Sequence, residues 1–309
     1  MARGLGVELA IVTVTHHPEL KALAKQLRAL PPEPCKIIVD NGSPDSAVNG
    51  LRSLVAQVSN ASLVVNKENL GLSAALNQGV RMLRTLAPQA RLALLLDQDS
   101  LPEPGSIEAL GEAHDALVAQ GHRVGAVGPQ LRDVDTGLMH GFHQMTHWRW
   151  LRAFPPTTAN QPVPVANLNG SGTLMRIEVF EQQGGLDEAL FIDHVDTEWS
   201  FRLLAAGFGL WGVPQAVFTH RMGRRGLRFW MFGWRVWPER SALRHRYLFR
   251  NTLWLMRRPY VPRVWKAWAA VKVMLTAVLH GVFDRDRRAQ LAGMWEGVRE
   301  GWRLPRDVR

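Results

Sequence analysis

A chain of 309 residues, 46% of them hydrophobic, is long enough to bury one large domain and an extension. Its one cysteine, Cys35, excludes a disulfide scaffold and a cysteine-based zinc centre, and fits a reducing compartment. The net charge of +10 is unevenly spread: residues 1–220 carry 16 Lys and Arg against 21 Asp and Glu, a net of −5, whereas residues 221–309 carry 21 against 6, a net of +15, with 8 of the 12 Trp.

In chain order, residues 7–15 (VELAIVTVT) read as a buried strand. The run is short and contains Glu8, and no small-residue cleavage site follows, so no secretory signal is expected. A helix over 17–30 has Leu20, Leu23, Leu27 and Leu30 on one face and ends at Pro31-Pro32. Strand 36–39 runs into the turn residues Asp40-Asn41-Gly42-Ser43, helix 46–58 follows, then strand 62–65, helix 72–86 and the wholly apolar strand 92–96. This alternation predicts an α/β fold, a parallel sheet wrapped by helices. Residues 125–168 read as short strand-like pieces, 195–206 as a helix ending at Gly207, and 212–220 as another strand. The expected division is a catalytic domain over 1–220, with a donor half near 1–100 and an acceptor half near 101–220, followed by a basic helical region over 221–309.

In that region, residues 263–283 place their polar positions 263, 266, 272, 276 and 280 along one helical stripe. Lys266, Lys272 and His280 argue against a spanning helix. The pattern fits a helix lying in an anionic membrane interface, and it also fits a helix packed on the body. No zinc-finger spacing or RNA-recognition signature accompanies the basic tail, and the acidic body opposes a nucleic-acid channel, so a membrane surface is the expected anionic partner and nucleic acid is not.

Parallel sheets bind ligands beyond the carboxyl ends of their strands. Here those ends carry Thr13 and Thr15, then Asp40, then Asn69 and Gly71, then Asp97-Gln98-Asp99. Asp97 and Asp99 follow LALLL and, two apart on a strand, point the same way. Two carboxylates so placed suit Mg²⁺ or Mn²⁺ bridging the phosphates of a sugar nucleotide, while a solvated turn before Pro102 explains the same residues. Asp40 can accept from the N3–H of a pyrimidine base, and it is also a strong turn former. Asn69 through Asn77 open a helix with small residues, suited to a phosphate or to close packing. Asp193, Asp196 and Glu198 are three carboxylates in six residues, candidates for a general base or for a helix cap. Trp199 can stack on a sugar or fill the core, and His220 can complete a metal site.

The motifs VTVTHHP (12–18), IIVDNGS (37–43), NKENLGLSAALNQG (66–79), LLLDQDS (94–100), NGSGTLMR (169–176), FIDHVDTEWSFRLLAAGF (191–208) and VFTHRMG (217–223) resemble, in this order, those of the inverting family 2 glycosyltransferases with the GT-A fold. LLLDQDS, FIDHVDTEW and SALRHRYLFRN (241–251) are similar to the bacterial rhamnosyltransferases of cell-surface polysaccharide assembly. The resemblance implies that Asp40 reads the base, that Asp97, Asp99 and His220 hold the metal, that Thr13, Thr15, Asn69, Gly71 and Asn77 line the donor site, and that Asn169, Gly170, Ser171, Asp193, Glu198 and Trp199 line the acceptor side. It implies Asp196 as the base; Val195 stands where many members carry Glu, which leaves Asp193 and Glu198 open. The implied donor is dTDP-rhamnose, with UDP sugars such as UDP-galactofuranose as rivals. The implied acceptor is a lipid-linked glycan, the implied location the bacterial cytoplasm at the inner membrane face, and a homo-oligomer is compatible. A nucleotidyltransferase would use a similar sheet but needs a Gly- and Lys-rich loop near the first strand, and TVTHHPE (13–19) has neither residue.

Overall fold

A computed structural model of the chain describes residues 8–220, 226–230, 234–238 and 240–303. The expected strand residue Val7 and motif residues 221–223 lie outside them.

The fold is α/β. The first half holds β1 (Leu9–Thr15), α1 (Leu20–Ala29), β2 (Cys35–Asn41), α2 (Asp45–Val55), β3 (Ala61–Asn66), α3 (Leu72–Leu86) and β4 (Leu92–Asp97). Then come β5 (Leu101–Pro102), α4 (Ser106–Ala119), β6 (Val124–Asp133), β7 (Phe142–Met145), β8 (Trp150–Ala153), β9 (Val163–Pro164), β10 (Thr173–Arg176) and α5 (Ile177–Gln182). A 3-10 turn, Glu188–Leu190, leads to α6 (Val195–Ala205) and β11 (Gly209–His220). The remainder is β12 (Gly226–Trp230), β13 (Trp234–Pro238), α7 (Ala242–Arg257), α8 (Arg263–Phe283) and α9 (Arg287–Arg303).

The main sheet runs β3-β2-β1-β4-β10-β6-β11-β5, with β9 on β11. Strands β3, β2, β1 and β4 are parallel, β10 is antiparallel to both neighbours, and β11 returns parallel to β6. All seven residues of β1 are buried, as a central parallel strand covered on both faces requires. Its side chains divide with period two. Ala10, Val12 and Val14 pack toward α3, while Leu9 and Ile11 pack toward Leu23 and Leu27 of α1. The first of these cores also takes in Trp254 and Leu255 of α7 and Trp265 and Ala269 of α8, so the basic C-terminal helices share the hydrophobic core of the sheet.

The chain reverses direction across the sheet between β1 and β4, where ligands bind in open α/β sheets. Register aligns the strand ends there: Thr15 pairs with Asp40, Asn41 with Asn66, and Val14 with Asp97. Two antiparallel insertions complete the edge. Strand β10 pairs Thr173 with Leu95, which carries residues 169–172 alongside Asp97. Strand β5 doubles back after Asp99 and pairs Leu101 with Thr219, which brings His220 beside the acidic turn. The sequence patterns missed β5, α4, β10 and α5, and gave α7 and α9 only as part of a helical region over 221–309.

Candidate active site

A cleft of about 460 Å³ opens at this edge. His16, Asn41 and Asn69 line it together with Asp97, Asp99 and His220 and with Asp193, Asp196 and Arg244. A second cleft, lined by His17, Gln26 and Thr219 among others, shares Gln98 and Asp99 with the first.

Ligand atoms of Asp97, Asp99 and His220 lie within 4.8 Å of one another, and His220 Nδ1 is 3.2 Å from Asp99 Oδ1. Burial alone would lower the imidazole pKa, but the hydrogen bond to Asp99 and the charges of Asp97, Asp99 and Asp133 raise it above its ordinary value. Two carboxylates and an imidazole that collect positive charge this readily are a donor set for a divalent cation. Asp97 also accepts a hydrogen bond from the Ser171 hydroxyl. Gln26 fixes the turn from behind: its buried amide donates to the carbonyls of Asp97 (2.6 Å) and Ser100 (2.5 Å). Gln26 reads in sequence as one polar residue of an amphipathic helix, and only its burial exposes the role.

Asp196 stands in the first turn of α6, against the backbone of Gly170. Any Cβ at position 170 would lie 3.0 Å from Asp196 Oδ1. Burial, then the charge of Asp97, push the Asp196 carboxyl up to about 7, while a backbone hydrogen bond from Gly170 acts the other way. A carboxylate poised near neutral pH is a stronger general base than an ordinary aspartate.

The loop before α6 is under backbone strain: Phe191, Asp193 and His194 all have positive φ, at 63°, 62° and 64°. It is held by α7. The buried amide of Asn251 donates to the carbonyls of Leu190 (2.8 Å), Ile192 (2.8 Å) and Asp193 (2.9 Å). His194 Nε2 is 2.9 Å from Thr252 Oγ1, and burial lowers its pKa to about 3, so the ring is neutral. Arg240, just before α7, and Arg244, in its first turn, both bind the Asp193 carboxylate. Burial would raise that carboxyl, but the two guanidiniums hold it below its ordinary value. A carboxylate clamped by two arginines is a poor proton acceptor, which separates Asp193 from Asp196.

Several expected residues do not face the cleft. Glu198 is fully buried. Its carboxylate meets Arg202 at 2.8 Å and Arg258 at 2.9 Å and accepts from Tyr260 Oη at 2.6 Å, so it ties α6 to the chain after α7. Trp199 packs in the core against Phe180 and is not available to a sugar. Asn77 is buried, bonded to Leu186 and Glu188. Thr13 is buried with its hydroxyl toward Gln26. Asp40 is also fully buried: it accepts from Thr15 Oγ1 (2.9 Å), Ser43 Oγ (2.6 Å) and the Ser43 amide (3.0 Å), so Thr15 and Asp40 lie behind the cleft wall, away from a base. Gly71 adopts φ 90° with Phe191 packed against it, a Cβ there meeting Phe191 Cδ2 at 2.6 Å, so its smallness serves chain packing. Asn169 is exposed beside Gly170, its carbonyl accepting from Thr173 Oγ1 at 2.5 Å.

In their place the cleft presents His16, Asn41 and Gln98, which the sequence reading passed over. The His16 amide donates to Gln98 Oε1 at 2.8 Å, and Asn41 Nδ2 donates to Asn69 Oδ1 at 2.9 Å. His16 and Asn41 are next to motif residues that were chosen, so the strand ends were correctly located but the side facing the cleft was not.

The Glycosyl transferase family 2 profile matches residues 10–184. The dTDP-rhamnosyl transferase RfbF of Shigella flexneri is 29% identical over 251 residues, covering 81% of this chain and 80% of that one. An N-acetylglucosaminyl-diphospho-decaprenol L-rhamnosyltransferase of Mycobacterium tuberculosis is 30% identical over 239 residues, covering 69% and 75%. Among solved structures, GalNAc-T7 with UDP, GalNAc and Mn²⁺ superposes with a TM-score of 0.56 at 15% identity, over 90% of this chain and 58% of that one. A mannosyltransferase from Pyrobaculum calidifontis in complex with GDP-Man and Mn²⁺ gives 0.53 at 15%, over 96% and 76%. These two likenesses concern the fold.

Proposed function

The chain belongs to glycosyl transferase family 2, and from that premise we propose that it transfers L-rhamnose from dTDP-rhamnose to a hydroxyl of a lipid-linked glycan, inverting the anomeric carbon. Two relatives described as rhamnosyltransferases support the sugar, and a diphospho-decaprenol in one description supports the lipid-linked acceptor. The reaction belongs in the cytoplasm, at the inner face of the membrane.

The observation that carries the mechanism is the facing of Asp196 and the Asp97–Asp99–His220 cluster in one cleft. Asp97, Asp99 and His220 would hold a divalent cation, Mg²⁺ or Mn²⁺, which would supply charge stabilisation to a departing diphosphate. The nucleoside lies toward His16, Asn41 and Asn69. Asp40 and Thr15 keep that wall in shape from behind. Asp196 takes the proton of the acceptor hydroxyl as that oxygen attacks the anomeric carbon and the bond to the diphosphate breaks. A single displacement of this kind needs no enzyme nucleophile. Gly170, Ser171 and exposed Asn169 border the acceptor, and Gly170 orients the base through its backbone.

The test is turnover of a donor panel (dTDP-rhamnose, UDP-galactofuranose, UDP-galactose) on a polyprenyl-diphosphate-linked N-acetylglucosamine, with and without Mn²⁺, and with the product anomer read by NMR. We expect turnover with dTDP-rhamnose and an inverted linkage. Preference for UDP-galactofuranose overturns the donor, and a retained linkage overturns the displacement. Asp196→Asn is expected to lower kcat by about 10²–10⁴-fold, the usual contribution of a general base, while donor binding persists.

A further inference from the structure

Helix α8 is amphipathic in the reverse sense for a surface helix. From Lys266 onward its polar stripe faces the protein, with Lys266 donating to the Arg258 carbonyl at 2.7 Å. Thr276 and His280 are buried, His280 Nδ1 lies 2.7 Å from Asp284 Oδ2, and Lys272 lies over the Trp268 ring at 4.7 Å. Trp265 and Ala269, on the same side, enter the main core. Its apolar side faces out: Val271, Met274, Leu275, Val278 and Val282 are 39–60% exposed and recur every three to four residues. A soluble helix shows the opposite arrangement.

Helix α9 continues this surface. Gly293, Gly297 and Gly301 sit against α7, with Cβ positions within 3.1 Å of its atoms. That packing turns the other side of α9 outward, with Leu291, Trp295 and Trp302 exposed. Leu291 borders Gly281 of α8, 3.5 Å from where a Cβ would stand, so the two outward faces join. Exposed Arg263 begins α8, exposed Arg285, Arg287 and Arg288 stand at the junction of α8 and α9, and exposed Arg299 and Arg303 lie on α9. An apolar stripe running the length of one helix marks an interaction surface, and the arginines at its ends and along α9 are complementary to anionic headgroups.

We propose that the outward face of α8, with Leu291, Trp295 and Trp302 of α9, is a docking surface for an anionic lipid bilayer, on which the protein lies without crossing it. By length and composition α8 is long and apolar enough to span, the one such helix among the described residues. Spanning would strip Thr276 and His280 from the body that buries them, including the ring of His245 on α7 at 4.3 Å from that of His280, and place them with Lys272 in hydrocarbon, whereas a surface position leaves them packed. The two outer tryptophans fit the interfacial depth where amphipathic rings settle. The inner side of the same helix reaches the active-site wall: Trp265 meets the ring of His194 at 5.3 Å, and His194 lines the cleft. A lipid-linked acceptor could then reach Asp196 without leaving the bilayer. The docking surface depends on the proposed acceptor for its purpose, not for its existence.

The test is flotation of the full chain with phosphatidylglycerol-rich vesicles and with phosphatidylcholine vesicles, for the parent and for Met274→Glu/Val278→Glu. The parent is expected to float with the anionic vesicles, less so at high salt, and weakly with the neutral ones. The double variant is expected to lose at least tenfold in vesicle-bound fraction with an unchanged melting temperature, since both side chains are already exposed. Transfer to a water-soluble short-chain acceptor stays at the parent level. Equal flotation of the variant overturns the proposal. So does a parent that ignores anionic lipid, or one that forms a dimer in light scattering which the variant abolishes, which would assign the face to a second copy. Flotation needs no turnover, so failure of the rhamnosyl-transfer reading leaves the result interpretable.

Discussion

Replacing Glu198 with alanine separates a structural carboxylate from a catalytic one. The carboxylate is fully buried among Arg202, Arg258 and Tyr260, and Arg258 is itself buried with a second partner in Asp187. Removing one member of a buried ion pair costs about 3–5 kcal/mol, because the remaining charge stays desolvated. Here Arg258 keeps Asp187, and Arg202 keeps the carbonyls of Gln183 and Gly185, which places the cost near the lower end, about 3 kcal/mol. Each kcal/mol moves the melting temperature of a large domain by about 2–4 °C, so Glu198→Ala should melt about 6–12 °C below the parent. Glu198→Gln keeps the volume and an acceptor for Tyr260 and should lose less. Turnover at a temperature where both proteins are folded should fall by no more than a few-fold. Scanning calorimetry paired with steady-state kinetics decides the matter. A Glu198→Ala protein that melts like the parent but does not turn over would refute the structural role and return Glu198 to the list of bases.

Three further outcomes are expected. The Asp196 carboxyl titrates at about 7 in the folded chain against an ordinary 3.8, so ionising it costs stability, and the cost grows as pH rises from about 4 to 7. In chelator, Asp196→Asn should therefore melt higher than the parent at pH 8 and no higher at pH 4; equal differences at both pH values would contradict the raised pKa. His220→Ala should raise the Mn²⁺ concentration for half-maximal turnover by about 10–100-fold, as loss of a metal-site residue commonly does, with rescue at high Mn²⁺; an unchanged metal dependence removes His220 from the site. Asn251→Leu deletes three hydrogen bonds to the loop that leads to Asp196, and a displacement of about 1 Å there costs on the order of 10²-fold in kcat. Hydrogen exchange should then quicken over residues 190–196, and full activity with unaltered exchange would deny Asn251 its positioning role.

The sheet and the location of the site were readable because they depend on short-range rules. Apolar runs of strand length alternating with amphipathic helices define the β1–β4 half, and the strand-end rule points to Asp97, Asn69 and Asp40 together. What was not readable depends on which way a side chain faces. Val195, Glu198 and Trp199 are all buried, as a spacing of three to four residues on a helix allows, but Asp196 stands three residues before Trp199 and four before buried Ser200, so spacing alone does not part the cleft residue from the inward ones. Asp40 and Asn41 are adjacent on β2 and so face opposite ways, but nothing local says that Asn41 has the cleft and Asp40 the interior. Strand β10 has four residues, TLMR, too few to show a period, although it delivers Ser171 to Asp97.

The break in charge at position 220 marks a change of surface and not of site. Acidic strand ends need a cation and basic helices need an anion, which suggested two regions with separate partners. Yet α7 and the residues just before it, inside the basic region, supply Arg240 and Arg244 to Asp193, Thr252 to His194 and Asn251 to the carbonyls before Asp196. The loop that leads to the base has three residues at positive φ and would relax without these contacts. The C-terminal helices thus do two physically linked things. Polar groups of α7, with Arg240 before it, hold the catalytic loop in a strained shape, and the polar groups of α8, Thr276 and His280, directed inward as well, leave apolar side chains as its outer surface. A substitution that loosens α8 from the body should therefore disturb both catalysis and membrane docking, whereas one confined to its outer face should disturb docking alone.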